Sequence, residues 1–559
     1  MTFSFPSRQP PSHPTRLAAA LALMLVCGAS AWSKTPPDAG RVLKQTTPPL
    51  EAPRPSTGPR IESPALSTAA PGGTQAPVRS VEITGNTVFT DAQLSPALGE
   101  VTGRSFDLAG LRELANRLSV FYRQAGYPFA RAYIPAQALN NGVLRIDVVE
   151  GRYGNVSTQG NATDVARTMP FLHNLQQGQV IESAPLERAS LLLGDLPGVR
   201  VTPLVRPGQA TGTGDLVVQV DRKQHLQGEV GVDNHGNRYT GQERVHANLD
   251  INSPFLLGDQ VLLRSMVTAH RMWFGSAGYS LPLGGSGLRG QFSIAHTYYR
   301  LAEEFASLDG TGTADVASIG LSYPVLRSQA LNLSFSAQAT HKRLHDEQGA
   351  AGTSSRKSSD TLPLALNFDA RDGLGGGGVT YGVATFTTGR LHLDDALATT
   401  DATTARSRGS FTKLNLDVAR MQSLGGAFSV YAHVAAQWAD KNLDSSESFG
   451  LGGAHGVRAY PEGEAYGDRG VLGQFELRYA AAGFSPYAFY DAGHVTTKVT
   501  PWSKGSNTRS IAGAGLGVRG EHGPWSFDAT LATRTHGGRP QSDSRNFNPA
   551  AWLSASYRF

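Results

Sequence analysis

The stretch "GVRAYPEGEAYGDRG", Gly456 to Gly470, gathers Arg458, Glu462, Glu464, Asp468 and Arg469 between two segments that alternate apolar and polar residues. It belongs to a connection of about thirty residues (439–470), far longer than the usual hairpin loop and of a length that tends to be functional or disordered. A second stretch, "FYDAG", places Phe489, Asp491 and Gly493 at period two, so that all three share one face of a strand while Ala488, Tyr490 and Ala492 share the other. An acid flanked by Phe and Gly suits a wall against which another segment packs. Glycine allows close approach, and a carboxylate accepts an arginine fork through two parallel hydrogen bonds.

Other chemistry is poorly supported. "GLGVRG" spaces Gly515, Gly517 and Gly520 like a dinucleotide fingerprint but lacks the helix that would follow. There is no Gly-x-Ser-x-Gly elbow, and His341, His345, His433 and His536 do not fall into metal-ligand spacing. The net charge of +5 comes with no basic stripe of the kind that binds nucleic acid. The expectation is therefore no enzyme, no cofactor, no metal and no nucleic-acid partner.

The segments flanking the charged loop show what must hold it. In "FSVYAHVAAQW", Phe428, Val430, Ala432, Val434, Ala436 and Trp438 lie on one face. In "VLGQFELRY", Val471, Phe475, Leu477 and Tyr479 alternate with Leu472, Gln474, Glu476 and Arg478. The C-terminal "AAWLSASYRF" sets Leu553, Tyr557 and Phe559 against Trp552, Ser554 and Arg558. Residues 223–559 read this way almost throughout, and at roughly 21 residues per strand with its loop they make about sixteen strands, an even number as barrel closure requires. Glu476 and Arg478 would face a polar lumen.

The N-terminus supports a membrane barrel over a soluble sandwich. Arg8, His13 and Arg16 precede the apolar run "LAAALALMLV" and the small residues "ASA" before Trp32, the pattern of an export signal over residues 1–31. Cleavage near Ala31 is favoured over lipid attachment at Cys27, because Val26 is not the small residue such attachment needs. Cys27 is the only cysteine, so a disulfide scaffold is excluded. No run of eighteen apolar residues follows, so no membrane helix is expected. An exported chain rich in Gly and aromatics points to the outer membrane of a Gram-negative bacterium.

Between signal and barrel lie three regions. In residues 32–46, Asp38 can cap a helix Asp38–Gln45 with Ala39, Val42 and Leu43 on one face. Residues 47–77 hold eight prolines and form an extended linker, able to reach about 90 Å at roughly 3.1 Å per residue. Residues 78–151 read as β-α-β-β, with Leu111, Leu114, Leu118 and Phe121 on the buried side of the helix, and residues 152–222 as a weaker second copy.

This sequence of parts resembles the two-partner secretion outer-membrane transporters (TpsB type, the haemolysin and filamentous-haemagglutinin transporter family), relatives of the outer-membrane assembly factors. Gly456, Val457, Arg458 and Tyr460 resemble the family's Val-Arg-Gly-Tyr loop, with Ala459 in place of the glycine, and Phe489, Asp491 and Gly493 match its barrel-wall motif Phe-x-Asp-x-Gly. The resemblance implies a transmembrane β-barrel of about sixteen antiparallel strands preceded by two small α+β POTRA-like domains in the periplasm. It implies that the loop folds inward through the barrel so that Arg458 reaches Asp491. Ala459 is then expected to be strained if the family glycine has a positive φ. It implies a large exoprotein partner, of adhesin or haemolysin type with an N-terminal secretion domain, passing unfolded through the barrel. The helix bearing Asp38, Val42 and Leu43 is expected to act as a plug. The lipid bilayer is a further partner, as is the barrel assembly machinery through the terminal Phe559 strand. The alternative is a barrel assembly or insertion factor; a passive porin would leave residues 78–222 unexplained.

Overall fold

The computed structural model describes residues 35–53 and 65–559; the signal assigned to 1–31 lies outside the described residues, as does part of the linker. Helix α1 (Ala39–Lys44) comes first, started by Asp38, whose side chain accepts the Arg41 N–H. It is too short to be stable alone and is held by its surroundings.

In the first module, strands Ser80–Thr84, Val143–Val149 and Arg131–Tyr133 form a sheet with Val143–Val149 in the centre. Helices α2 (Asp91–Leu98) and α3 (Leu108–Gln124) pack on it. Asp107 caps α3 by accepting the Gly110 N–H at 2.8 Å. The buried stripe of α3 runs Leu111, Leu114, Ala115, Leu118 and Tyr122. The expected terminal position was Phe121, but the four-residue step from Leu118 carries the stripe to Tyr122, and Phe121 packs at its margin. The second module orders its strands Arg152–Gln159, Thr213–Arg222 and Val199–Pro207, with α4 (Ala162–Thr168) and α5 (Ser183–Gly194). Its α5 end meets the barrel. Arg327 forks onto Asp195 with two bonds of 2.6 Å, and Arg188 donates to the Pro324 carbonyl at 2.7 Å.

Residues 226–558 form a closed barrel of sixteen strands, each antiparallel to its neighbours in sequence. The first strand, Leu226–Asp233, closes on the last, Ala550–Arg558, in a register from Ser554 opposite Asp233 to Arg558 opposite Glu229. Phe559 completes the seam by exchanging backbone hydrogen bonds of 3.0 Å with Gly228. Strand length varies around the wall: 8 and 9 residues at the seam, but 18 in Gly310–Arg327 and Leu331–Gln348 and 20 in Thr353–Asp372. Period-two alternation sends Val232, Phe475, Phe527, Leu531 and Leu553 outward, where about half of each is exposed. A closed barrel leaves no unpaired edge in hydrocarbon. No helix among the described residues is long and apolar enough to cross a membrane.

Candidate functional site: the inward loop and its anchors

The connection between strands Phe428–Ala439 and Arg469–Tyr479 turns into the lumen and packs there as a small core. Leu451, Val457, Ala459 and Tyr460 are buried against Leu472, Phe489, Val495 and Ile511 of the wall. Gly493 makes this possible, since a side chain there would run into Leu451. At the tip, Arg458 donates from Nε to Asp491 Oδ2 at 2.8 Å and from Nη2 to Asp491 Oδ1 at 2.7 Å, while its backbone N–H reaches Oδ2 at 3.1 Å. Phe489 lies beneath the guanidinium, its ring centre 3.6 Å from Cζ. Arg458 is 4% exposed and Asp491 0%, so the pair sits in a site closed to bulk water. In such surroundings an arginine fork on a carboxylate holds one geometry.

The structure brings Arg458, Phe489, Asp491 and Gly493 together and adds partners that the motifs did not indicate. Glu476 accepts Arg458 Nη1 at 2.6 Å and is itself held by Arg478 at 2.8 Å and Arg519 at 2.9 Å. Alternation alone had put Glu476 and Arg478 on the lumen face, which was the available signal. Trp552 donates from Nε1 to the Arg458 carbonyl at 2.7 Å, and Gln474 donates to the Gly456 carbonyl at 2.8 Å. Tyr460 donates its hydroxyl to the carbonyl of His536 at 2.7 Å. The strain expected at Ala459 is absent: it is not among the residues with positive φ, and its methyl group packs on Gly513 of the facing strand. The non-glycine residue of the loop with a positive φ is Ala465, at 56°.

Higher in the lumen, Glu464 fastens the loop to the far mouth. It is 1% exposed and accepts Arg509 at 2.6 and 2.9 Å and the backbone N–H groups of Gln541 and Ser542 at 2.9 and 2.8 Å. Glu464→Ala leaves Arg509 and those N–H groups without their acceptor. The outer connection 537–549 is therefore expected to become sensitive to protease added to intact cells, while the closed ladder of the wall keeps the barrel folded and Arg458 still holds the loop tip. Unchanged digestion would show that Glu464 does not restrain it.

Helix α1 lies beside this loop. Asp38 accepts Lys357 Nζ at 2.9 Å and Ser445 Oγ at 2.5 Å, and Lys357 also holds Asp444 at 2.7 Å, so helix, loop and wall share one charged knot. Asp346 accepts the Ala39 N–H at 2.7 Å. Val42 is fully buried and Leu43 packs at the edge of a cluster formed by Met266, Met272, Tyr299, Leu301 and Leu344. Gly40 faces Ser445 and Ser446 so closely that any side chain would collide with them. Below α1 the chain descends: Asn237 donates to Gln45 at 3.2 Å near the far mouth, and Arg371 donates to the Pro53 carbonyl at 3.0 Å at the end that carries the modules. Among the described residues no group of His, Cys, Asp and Glu could hold a metal ion.

Comparison with known proteins agrees with this architecture. Residues 212–520 match the family of the haemolysin secretion/activation proteins ShlB/FhaC/HecB, and residues 76–151 match the ShlB-type POTRA domain. The heme/hemopexin transporter protein HuxB of Haemophilus influenzae (strain 86-028NP) is 27% identical over 482 residues, 84% of each chain. The outer membrane transporter CdiB of Dickeya dadantii (strain 3937) is 25% identical over 416 residues, 72% of each chain. Among solved structures, CdiB from Escherichia coli superposes with a TM-score of 0.69 at 20% identity, covering 90% of this chain and 94% of that one. BamA from Haemophilus ducreyi shares the fold at a TM-score of 0.53 and 14% identity, covering 86% and 100%. With the family matched over more than half its length, a closed barrel and an N-terminal POTRA domain, the chain belongs to the ShlB/FhaC/HecB family of outer-membrane secretion proteins, with its POTRA modules in the periplasm.

Proposed function

We propose that this chain captures an unfolded exoprotein in the periplasm and passes it through its barrel to the cell surface, acting as a conduit rather than a catalyst. The observation that carries the reading is the inward loop. It occupies the passage, is tied to the wall by Arg458, and is knotted to a plug helix through Asp38, Lys357 and Ser445. A passage closed by two linked, removable elements suits a cargo that enters only on demand. The parts divide as signal 1–31, plug segment 32–46, linker 47–77, capture modules 78–151 and 152–222, and barrel 223–559 with its loop at 439–470. The partner is a large exported protein of adhesin or haemolysin type with an N-terminal secretion domain. The terminal strand ending at Phe559 serves as the handle for the barrel assembly machinery.

The test is to remove the transporter from cells that also make a large exported protein with an N-terminal secretion domain. The exoprotein is expected to be lost from the cell surface and medium, while heat-modifiable bands of other outer-membrane proteins stay normal. Loss of those bands with surface exoprotein unchanged would instead identify an assembly factor.

A further inference from the structure

The linker does not pass freely from the barrel to the first module. Ser67 is held by one side chain at both of its backbone groups: its N–H donates to Asn116 Oδ1 at 3.2 Å, and Asn116 Nδ2 donates to its carbonyl at 2.8 Å. One turn earlier on α3, Arg112 donates to the Thr68 carbonyl. At the start of the helix, Asp107 accepts the Gly72 N–H at 2.7 Å with the oxygen not used for capping. These two N–H bonds, from Gly72 and Gly110, keep the Asp107 carboxyl below the usual carboxylate range.

Every one of these bonds goes to the linker's backbone. The linker side chains are small and at most half-buried: Ser67, Thr68, Ala69, Ala70, and glycine at 72 and 73. An amide that takes both the N–H and the C=O of one residue grips an extended chain without reading its side chain, the same backbone logic by which strand addition binds peptides of varied sequence. Two apolar residues beside the clamp, Leu108 one turn before Arg112 and Val120 one turn after Asn116, remain largely uncovered at 52% and 37% exposure.

We propose that the side of α3 bearing Asp107, Arg112 and Asn116 is a docking site for an extended segment of the exported polypeptide, and that the linker 67–72 occupies it in the resting transporter as a built-in competitor. This rests on the secretion reading above. The linker brings few contacts and wins only because it is tethered at high effective concentration. A longer unfolded chain forms the same backbone bonds and adds side chains over Leu108 and Val120, so it displaces the linker. The linker continues into α1, so displacement at the module also loosens the tether of the plug.

Two arms test this in the full-length protein. In the first, Ser67→Cys and Asn116→Cys are joined by a reversible bifunctional methanethiosulfonate. The only native cysteine, Cys27, lies in the segment read as the signal. Secretion of the co-expressed exoprotein by the double-cysteine variant is expected to fall about tenfold on cross-linking relative to its own level before the reagent, since a tethered competitor can no longer leave, and to return on reduction, while the reagent leaves each single-cysteine variant at its own starting level. Wild-type secretion from the cross-linked chain would overturn the competitor. In the second arm, a photoreactive synthetic peptide of residues 64–74 is added to the purified transporter. It is expected to label α3 in Ser67→Pro, whose own linker has lost the N–H that Asn116 accepts, and to spare the wild type. No labelling of Ser67→Pro overturns the docking site, and equal labelling of both overturns the competitor. Selective labelling together with no secretion by the wild type upholds the clamp and removes the secretion reading instead.

Discussion

Arg458→Ala and Asp491→Ala should each lose most secretion while the protein still runs as a folded, heat-modifiable barrel. Breaking a buried ion pair by removing one partner costs on the order of 3–5 kcal/mol, because a charge stays behind in a site closed to water. Here Arg458→Ala leaves Asp491 without its fork, and the carboxylate then shares the pocket with Glu476, whose remaining partners Arg478 and Arg519 hold it in place. Asp491→Ala leaves Arg458 one acceptor, Glu476, so the loop is held but no longer in register. The wall keeps its own ladder of hydrogen bonds, which is why folding survives. The double variant should secrete little worse than either single one, since the two side chains act as a unit. Arg458→Lys should not rescue, because an ammonium cannot span Asp491 and Glu476 with a planar fork. Near-normal secretion from both single variants would reduce the buried pair to a structural detail of the loop.

Deleting residues 36–46 should raise single-channel conductance in planar bilayers several-fold, toward that of a sixteen-stranded pore with an aqueous lumen. The deletion removes α1 and with it Asp38 from the knot with Lys357 and Ser445. Gly40→Leu is the companion variant. It keeps every charge of the helix but places a side chain where Ser445 and Ser446 stand, so α1 cannot seat. Its conductance should approach that of the deletion. Unchanged conductance in both would mean that the inward loop alone sets the constriction and that α1 is not the plug.

Much of this was open to reading along the chain, for reasons that differ by element. Strands with one face in lipid must alternate, so Phe475 and Leu477 outward and Glu476 and Arg478 inward follow from period two without knowledge of any neighbour. Arg458 and Asp491 were paired through the resemblance of their two motifs to a family's loop and wall signatures, since Arg458 stands among Glu462, Glu464, Asp468 and Arg469 and no local pattern singles it out. The other contacts of Arg458 were not legible, because Trp552 lies 94 residues further along the chain and meets the loop only when the last strand closes on the first. The same holds for Glu464, whose acceptor role depends on backbone N–H groups of Gln541 and Ser542 that no side-chain pattern reports. Ala459 shows the reverse case: the strain expected there depended on a positive φ that the loop does not adopt, and the room for its methyl group comes from Gly513 on another strand. The clamp on the linker was invisible because it recognises backbone, and backbone is common to every sequence.

The uneven height of the wall sets how the protein sits among lipids. A strand needs about 9–11 residues to cross the hydrocarbon. Of the seam strands, that of 9 residues only just reaches that length and that of 8 falls short of it, whereas those of 18 and 20 on the opposite side exceed it and stand well clear of the membrane. Lipids beside the seam must compress to match, at fractions of a kcal/mol per Å of mismatch. The bilayer is thus thinnest where Leu226–Asp233 and Ala550–Arg558 meet over their short shared register, and a polar backbone edge exposed there would have the least hydrocarbon to cross.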